Sequence, residues 1–190
     1  MDILDLPISL EINGKMYDID SDFRTCIKIM RYLEDNEYTN YEKMKLMLGI
    51  LFVDDIHIED IDAAITQASI FLDCGRSSSE NSNGLKYGRL YSWTQDLQYI
   101  IAAANASLGF SCRGTKYLHW WDFMTALMEC KECTFSTLIY QRKLRKQGKQ
   151  SKVDKEWWAE NKEVAELETS VILTREEKDA LDKFDKLLGQ

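Results

Sequence analysis

The most constraining feature of the chain is a dense cluster of rings between Tyr117 and Phe123, where five of seven residues are aromatic or histidine. From this point large side chains recur at three- and four-residue steps, the spacing that places them along one stripe of a helix. The stripe comprises Tyr117, Trp120, Trp121, Met124, Leu127 and Met128. Because one large aromatic side chain buries about 150–250 Å², the pattern predicts a helix at the centre of a core, from about residue 116 to 129.

His119 is the residue of this cluster that could also act as a metal ligand or a general base. Both roles require partner groups as well as a ring, and His57 is the only other histidine of the chain. The sequence therefore favours a His119 that is hydrogen-bonded within the core or at its boundary.

The beginning of the chain has the pattern of a β-hairpin. Ile8, Leu10 and Ile12 alternate with polar residues, and Asn13-Gly14 follows directly. Asn-Gly favours a type I′ turn, in which both central residues have positive φ. A lone hairpin is only marginally stable in water, so we expect this one to pack on helices.

Periodic apolar residues predict further helices around the aromatic one. The first begins at Phe23, with Ser21 or Asp22 as its cap, and the second follows the capping-box pair Thr39 and Glu42. The stripe of a third consists of Ile58, Ile61, Ile65, Ala68 and Leu72.

Glycines and capping pairs bound the remaining helices. Gly75 is suited to end the third helix, Ser92 and Gln95 have the spacing to cap a fourth, and Gly109 is suited to end it. A sixth helix is predicted from about Thr134, after the aromatic one.

The last part of the chain changes in charge. Residues 142–155 are rich in Lys and Arg, and Trp157 and Trp158 follow on a predicted short helix. Thr174 and Glu177 then cap a final amphipathic helix. Its apolar stripe is Ala180, Leu181, Phe184, Leu187 and Leu188. Such a helix either folds back onto its own core or docks on another molecule, and packing on the core is the default.

A chain of 190 residues with 45% apolar residues can bury one proper core. We therefore predict a mainly α fold: a compact helical domain with a small N-terminal β-hairpin over residues 1–145. A basic linker and a helical extension follow over residues 146–190.

Charge and composition argue against several classes of function. The net charge of −8 disfavours a nucleic-acid-coating protein, although the basic run 142–155 leaves a nucleic-acid hypothesis open. A solvated helix end, or contact with an acidic face of a neighbouring subunit, is favoured for that run. We expect no membrane span and no signal peptide, because the chain has no apolar run of about 18 residues and Met1–Asp5 is neither basic nor apolar.

The five cysteines are expected to be mostly free thiols in a reducing compartment, because their number is odd and no export signal is expected. Cys130 and Cys133 form a C-x-x-C pair, which is a weak zinc signal without two further ligands. Cys112 and His119 could complete such a site in space, but we expect no metal and no cofactor.

No catalytic constellation is recognisable in the sequence. The chain has no G-x-S-x-G or H-E-x-x-H motif and no Gly-rich phosphate loop. The acidic pairs Asp54-Asp55 and Glu59-Asp60 fit a solvated loop and a helix N-terminus. We therefore expect a protein that is not an enzyme.

Five motifs, in a fixed order, resemble the bacteriophage gene product fifteen family, whose genes lie in the tail region near the tape measure gene. They are Asp22–Thr25, Phe71–Gly75, Tyr91–Asp96 together with Tyr99–Ala103, Leu118–Phe123 and Phe135–Arg142. The resemblance covers about residues 8–145. The polar insert Ser77–Asn83 and the segment Cys130–Cys133 depart from the family pattern.

The resemblance implies a phage or prophage tail-morphogenesis protein in the cytoplasm of the bacterial host. It points to a tail assembly chaperone-like factor that binds the tape measure, the tail tube subunit, or both, through helical apolar surface. The candidate partner-binding residues are Trp120, Trp157, Trp158, Leu181, Phe184 and Leu188. A structural tail or connector protein, a nucleic-acid-binding protein, a partner of host defence proteins and a homo-oligomer stay open as alternatives.

Overall fold

A computed structural model of the chain describes residues 6–76 and 87–168, and the predicted mainly α fold with an N-terminal hairpin is confirmed. Within these ranges two strands precede eight α-helices. They are β1 (Ser9–Ile12), β2 (Lys15–Asp18), α1 (Phe23–Glu34), α2 (Asn40–Leu51), α3 (Ile61–Leu72), α4 (Leu97–Leu108), α5 (Trp120–Glu129), α6 (Thr134–Gln147), α7 (Lys152–Glu160) and α8 (Lys162–Ala165). The predicted final helix, with Leu181, Phe184 and Leu188, lies outside the described residues.

The hairpin forms as predicted. Its strands pair antiparallel, and Asn13 and Gly14 have φ of 50° and 80°, as a type I′ turn requires. Asn13 Nδ2 and Tyr17 Oη donate to the two carboxylate oxygens of Asp60, at 2.7 and 2.8 Å. These hydrogen bonds hold the pKa of the Asp60 carboxyl below its usual range, and they dock the hairpin at the start of α3.

The predicted caps of the first two helices are confirmed. The Asp22 side chain accepts from the backbone N–H of Arg24, and Thr39 and Glu42 form a reciprocal capping box. The predicted pair of Ser92 and Gln95 is half formed: Ser92 Oγ accepts from the Gln95 N–H at 3.0 Å, but the Ser92 N–H donates to Asp96 Oδ2 and not to Gln95. Helix α4 begins one turn later, after Asp96, and the Gln95 side chain instead bonds the backbone near the end of the described chain.

The aromatic helix begins at Trp120, four residues later than predicted, because His119 is its N-terminal cap. His119 Nδ1 accepts from the Trp121 N–H at 3.1 Å, and Nε2 lies 3.0 Å from the Pro7 carbonyl oxygen. With Nδ1 accepting, the ring proton is on Nε2, which donates to Pro7. The predicted structural role of His119 is confirmed.

The buried stripe of α5 is rotated relative to the prediction. Tyr117 precedes the helix and is exposed, as is Met128. The buried residues of α5 are Trp120, Phe123, Ala126 and Leu127. A similar shift occurs at α3. Ile58, in a short 3₁₀ turn before the helix, and Ile61 are exposed, and the buried residues of α3 are Ala64, Ala68, Phe71 and Leu72.

Two tryptophans of α5 complete the C-terminal end of α3. Trp120 Nε1 donates to the Leu72 carbonyl and Trp121 Nε1 to the Phe71 carbonyl, each at 2.9 Å. These carbonyls belong to the last turn of α3, where partners within the helix are lacking. The Phe71 carbonyl also accepts from the Cys74 N–H at 3.0 Å. The indoles therefore satisfy backbone groups and bury their rings in the same contact.

The C-terminal described helices pack on α6. Trp158 of α7 and Ala165 of α8 are buried in a small cluster with Leu138 of α6. The domain boundary predicted after residue 145 falls within the last turn of α6. None of the helices in the two described ranges has the length and apolar character required to span a bilayer.

The turn after α3 gives a test of the aromatic contact. Gly75 has φ of 81°, and a Cβ atom there would lie 3.3 Å from Trp121 Cη2. We expect Gly75→Ala to lower the free energy of unfolding by about 1–2 kcal/mol, because an L side chain is strained in this conformation. Denaturant unfolding measures the change.

Gly49→Ala is the matched control. Gly49 lies within α2, is exposed and would place its Cβ in open space. This substitution should raise the free energy of unfolding by about 0.5–1 kcal/mol. Changes of the same sign and size for both variants would contradict the described turn.

Candidate partner-binding site

A cavity of about 320 Å³ opens where the end of α6, α7 and the segment after α8 meet. Its volume is at the lower end of the range for ligand-binding pockets. Its walls combine basic, aromatic, aliphatic and acidic side chains. They are Arg89, Arg142, Arg145, Lys146, Trp158, Ala165, Glu166, Leu167 and Glu168.

Arg142 lines this cavity and is held in place by a buried ion pair with Asp96. The guanidinium meets the carboxylate in a bidentate contact, with Nη1–Oδ2 at 2.6 Å and Nη2–Oδ1 at 2.9 Å. It also donates to three backbone carbonyls, those of Leu90, Val164 and Ala165. All five N–H donors of the guanidinium are therefore used.

The Asp96 carboxylate is also held by the backbone of its own segment, before α4. Asp96 Oδ2 accepts from the backbone N–H of Ser92 at 2.9 Å. Glu34 of α1 fixes the same segment, because it accepts from Ser92 Oγ and from the N–H groups of Trp93 and Thr94 at 2.7–2.8 Å. The segment before α4 is thus held between α1 and α6.

The sequence-based interpretation of Arg142 as part of a solvated basic run is wrong. Its exposed fraction is 2%, the lowest of that run in the described structure. Arg142 lies four residues after Leu138, so it continues the buried stripe of α6. The four-residue spacing from Leu138 could have indicated that Arg142 is buried. Nothing in the sequence indicated that it pairs with Asp96, which lies 46 residues away.

The other basic side chains lie at the rim of the cavity. The Arg145 guanidinium lies 4.2 Å from the centroid of a Trp158 ring, and Lys146 Nζ donates to the Arg89 carbonyl at 2.6 Å. Partial burial and the positive charges of Arg89 and Arg142 lower the pKa of Lys146. Of the four lining cations, Arg142 is paired with Asp96 and Arg89 lies 3.6 Å from Glu34, so Arg145 and Lys146 provide the positive charge of the rim beside Glu166 and Glu168.

Trp158 lines the cavity with a largely buried indole ring. The residue is 8% exposed, and its buried Nε1 has no hydrogen-bond partner among the described residues. A buried indole N–H normally finds an acceptor. The ring of Trp158 lines the cavity, whereas its Nε1 atom is buried, so the residue contributes an apolar wall.

The structure separates the other predicted partner-binding residues. Trp157 is half-buried and packs edge-on against Trp158, with ring centroids 6.4 Å apart. Trp120 is 0% exposed and packs in the main core against Trp93 and Phe123, so its ring is not on a surface. Leu181, Phe184 and Leu188 lie outside the described residues.

The residues proposed as an alternative metal site do not come together. Both ring nitrogens of His119 are used in hydrogen bonds, and Cys112 is buried. Within residues 6–76 and 87–168, His, Cys, Asp and Glu form no group of three or more that could hold a metal ion.

The ion pair makes a large, specific stability prediction. Arg142→Ala should lower the free energy of unfolding by about 3–5 kcal/mol, because it leaves the buried Asp96 carboxylate uncompensated. Lys143→Ala, at the exposed neighbouring position, should change it by less than about 0.5 kcal/mol. Urea unfolding of the two variants measures the difference.

A double-mutant cycle isolates the pair itself. Because the Asp96→Ala, Arg142→Ala variant contains neither charge, it should lose less stability than the sum of its single variants. Additive losses would show that the two side chains do not depend on one another, contrary to the described contact.

Comparison with known proteins gives one family and no individual relative. Residues 3–167 match the family described as Bacteriophage Gp15 protein, so the match extends beyond the resemblance carried by residues 8–145. No curated protein and no solved structure matches the chain. The match spans most of the chain and includes every motif described above, and the protein therefore belongs to the bacteriophage Gp15 family.

Proposed function

We propose that this phage morphogenesis protein is a chaperone-like tail assembly factor without enzymatic activity. It binds the tape measure, the tail tube subunit, or both, in the cytoplasm of the bacterial host. Family membership supports the phage context. The cavity beside Trp158, with its apolar walls and the cations Arg145 and Lys146 at its rim, is the single observation that supports binding of another chain at a defined place.

The polar residues of the family motifs support the absence of catalysis. A catalytic acid or base must be free to exchange a proton with a substrate. His119 uses both ring nitrogens, and Arg142 uses all its donors on protein groups. Asp96 is likewise engaged at both oxygens and buried. These residues hold the fold together, which leaves none of them available to a substrate.

The chemistry of the cavity indicates which part of a partner it would take. Trp158, Ala165 and Leu167 provide apolar walls for an aliphatic or aromatic side chain, while Arg145 and Lys146 at the rim attract a carboxylate. An amphipathic helix presents both kinds of group at adjacent positions. Burying one large apolar side chain contributes about 1.5–3 kcal/mol, so a single contact is weak and reversible.

Weak contacts suit a factor that covers a long partner temporarily. A tape measure is expected to be a long helical chain with apolar stripes that associate when uncovered. Several copies bound along one such chain would shield those stripes. The tube subunits could then displace them one at a time as polymerisation proceeds, because no single contact is tight.

Reversing the charge of the rim tests the site. Arg145→Glu combined with Lys146→Glu should weaken binding to the co-expressed, adjacent tape measure by about tenfold, which corresponds to about 1.4 kcal/mol. The reason is that the rim would repel the carboxylates it now attracts. The measurement is the soluble fraction of tape measure and the amount that co-purifies.

The control changes the net charge equally at another place. Lys28→Glu combined with Lys45→Glu alters exposed positions on α1 and α2, and it should leave co-purification unchanged. An equal loss for both double variants would mean that net charge, not the rim, governs binding. No loss for the rim variant would exclude this cavity as the contact.

Two further measurements address the other parts of the proposal. Deleting residues 174–190, which removes Leu181, Phe184 and Leu188, should reduce tape measure solubility. An unchanged solubility would exclude this segment from the binding surface. Mass spectrometry of purified particles should find the protein missing from them. A stoichiometric presence there would identify a structural virion component instead of a chaperone.

A further inference from the structure

Cys130 and Cys133 lie at the corner between two helices. Cys130 follows the last residue of α5, and Cys133 is the residue directly before α6. Both side chains are half-buried, so solvent reaches them in part. By contrast, Cys26 and Cys112 are completely buried in the core.

The sulfur of Cys133 has surroundings that stabilise a thiolate. Partial burial raises the pKa of the thiol, but hydrogen bonds from the Cys130 thiol and from the backbone of Ser136 and Phe135 outweigh this effect. The pKa of Cys133 therefore lies below its ordinary value. Cys133 is the N-cap residue of α6, and the backbone N–H of Ser136 is directed at its sulfur. The same sulfur lies 3.7 Å from Ser136 Oγ and 3.9 Å from the Cys130 carbonyl oxygen, so the two cysteines are in contact at this corner.

The neighbouring Cys130 thiol is kept protonated. Burial, together with its hydrogen bond to the Cys133 sulfur, raises the pKa of Cys130 to about 11. The pair thus contains one thiol disposed to react as a nucleophile and one that retains its proton within hydrogen-bonding reach of the first. This is the arrangement of an attacking and a resolving thiol.

We propose that Cys133 and Cys130 form a reactive dithiol, which hydrogen peroxide closes to a disulfide between α5 and α6. This inference is independent of the partner-binding site. It concerns the corner between the two helices, and none of its residues lines the cavity beside Trp158.

The reaction proceeds in two balanced steps. The Cys133 thiolate attacks one peroxide oxygen; an S–O bond forms, the O–O bond breaks, and the departing hydroxide takes up a proton as water. Cys130 sulfur then attacks the sulfur of the Cys133 sulfenic acid. An S–S bond forms, the S–O bond breaks, and the Cys130 proton leaves with the hydroxyl group as a second water. Two thiols are oxidised and one peroxide is reduced.

The other cysteines should respond differently. Burial raises the pKa of Cys26 and of Cys112, and burial raises the pKa of Cys74 to about 11. Only thiolates react readily with alkylating agents and peroxide. Cys74, which is half-buried like the pair, is therefore the matched internal control.

Thiol labelling of the full-length protein tests the proposal. Iodoacetamide at neutral pH, followed by peptide mapping, should label Cys133 at least about tenfold faster than Cys130 or Cys74, because their thiolate fractions differ. Labelling of Cys133 should also begin at lower pH than labelling of Cys74. Equal rates at the three positions, or faster labelling of Cys74, would overturn the assignment.

Peroxide treatment tests the second step. The wild-type protein should lose the mass of two hydrogen atoms and gain a Cys130–Cys133 cross-linked peptide. C130S should give a sulfenic acid at Cys133 that dimedone traps, C133S should give neither product, and C74S should behave as wild type. Absence of the cross-linked peptide in the wild type, or a dimedone adduct on Cys130 in C133S, would overturn the proposal.

Discussion

The buried ion pair between Arg142 and Asp96 is the interaction on which the C-terminal half of the structure depends. Removing two charges from water is costly, and the cost is offset only where every donor and acceptor finds a partner. Here the guanidinium donates its remaining N–H groups to the carbonyls of Leu90, Val164 and Ala165. One side chain therefore fixes the loop before α4 and the end of α8, and with them two walls of the cavity.

The family motifs serve the fold. The indoles of Trp120 and Trp121 complete the end of α3, and His119 begins α5 while it holds the segment at Pro7. Residues with this many internal partners constrain what the rest of the chain can do, because changing any of them disturbs more than one element. The features that can meet another molecule lie beside them, at the rim formed by Arg145 and Lys146 and at the α5–α6 corner.

Local signals in the sequence predicted local structure well. Asn13-Gly14 predicted the turn, and the Thr39 capping box predicted the start of α2, since both depend on residues close in sequence. The start of α5 was placed too early because histidine is not among the usual capping residues. The cavity is lined by Arg89 and by residues between 142 and 168. Because these parts are far apart in sequence, no local sequence pattern predicts that they lie together. Trp158 was predicted as a partner-binding residue on helical apolar surface, and its position in the cavity wall appears only in the fold.

Binding through the cavity beside Trp158 can be tested most directly by site-specific photo-cross-linking. A photoreactive amino acid would replace Lys146 at the rim or Lys45 on α2, in protein co-expressed with the adjacent tape measure. Both positions are exposed. We expect cross-linked tape measure from position 146 and none from position 45. Cross-linking from position 45 alone, or equally from both positions, would contradict binding at this cavity.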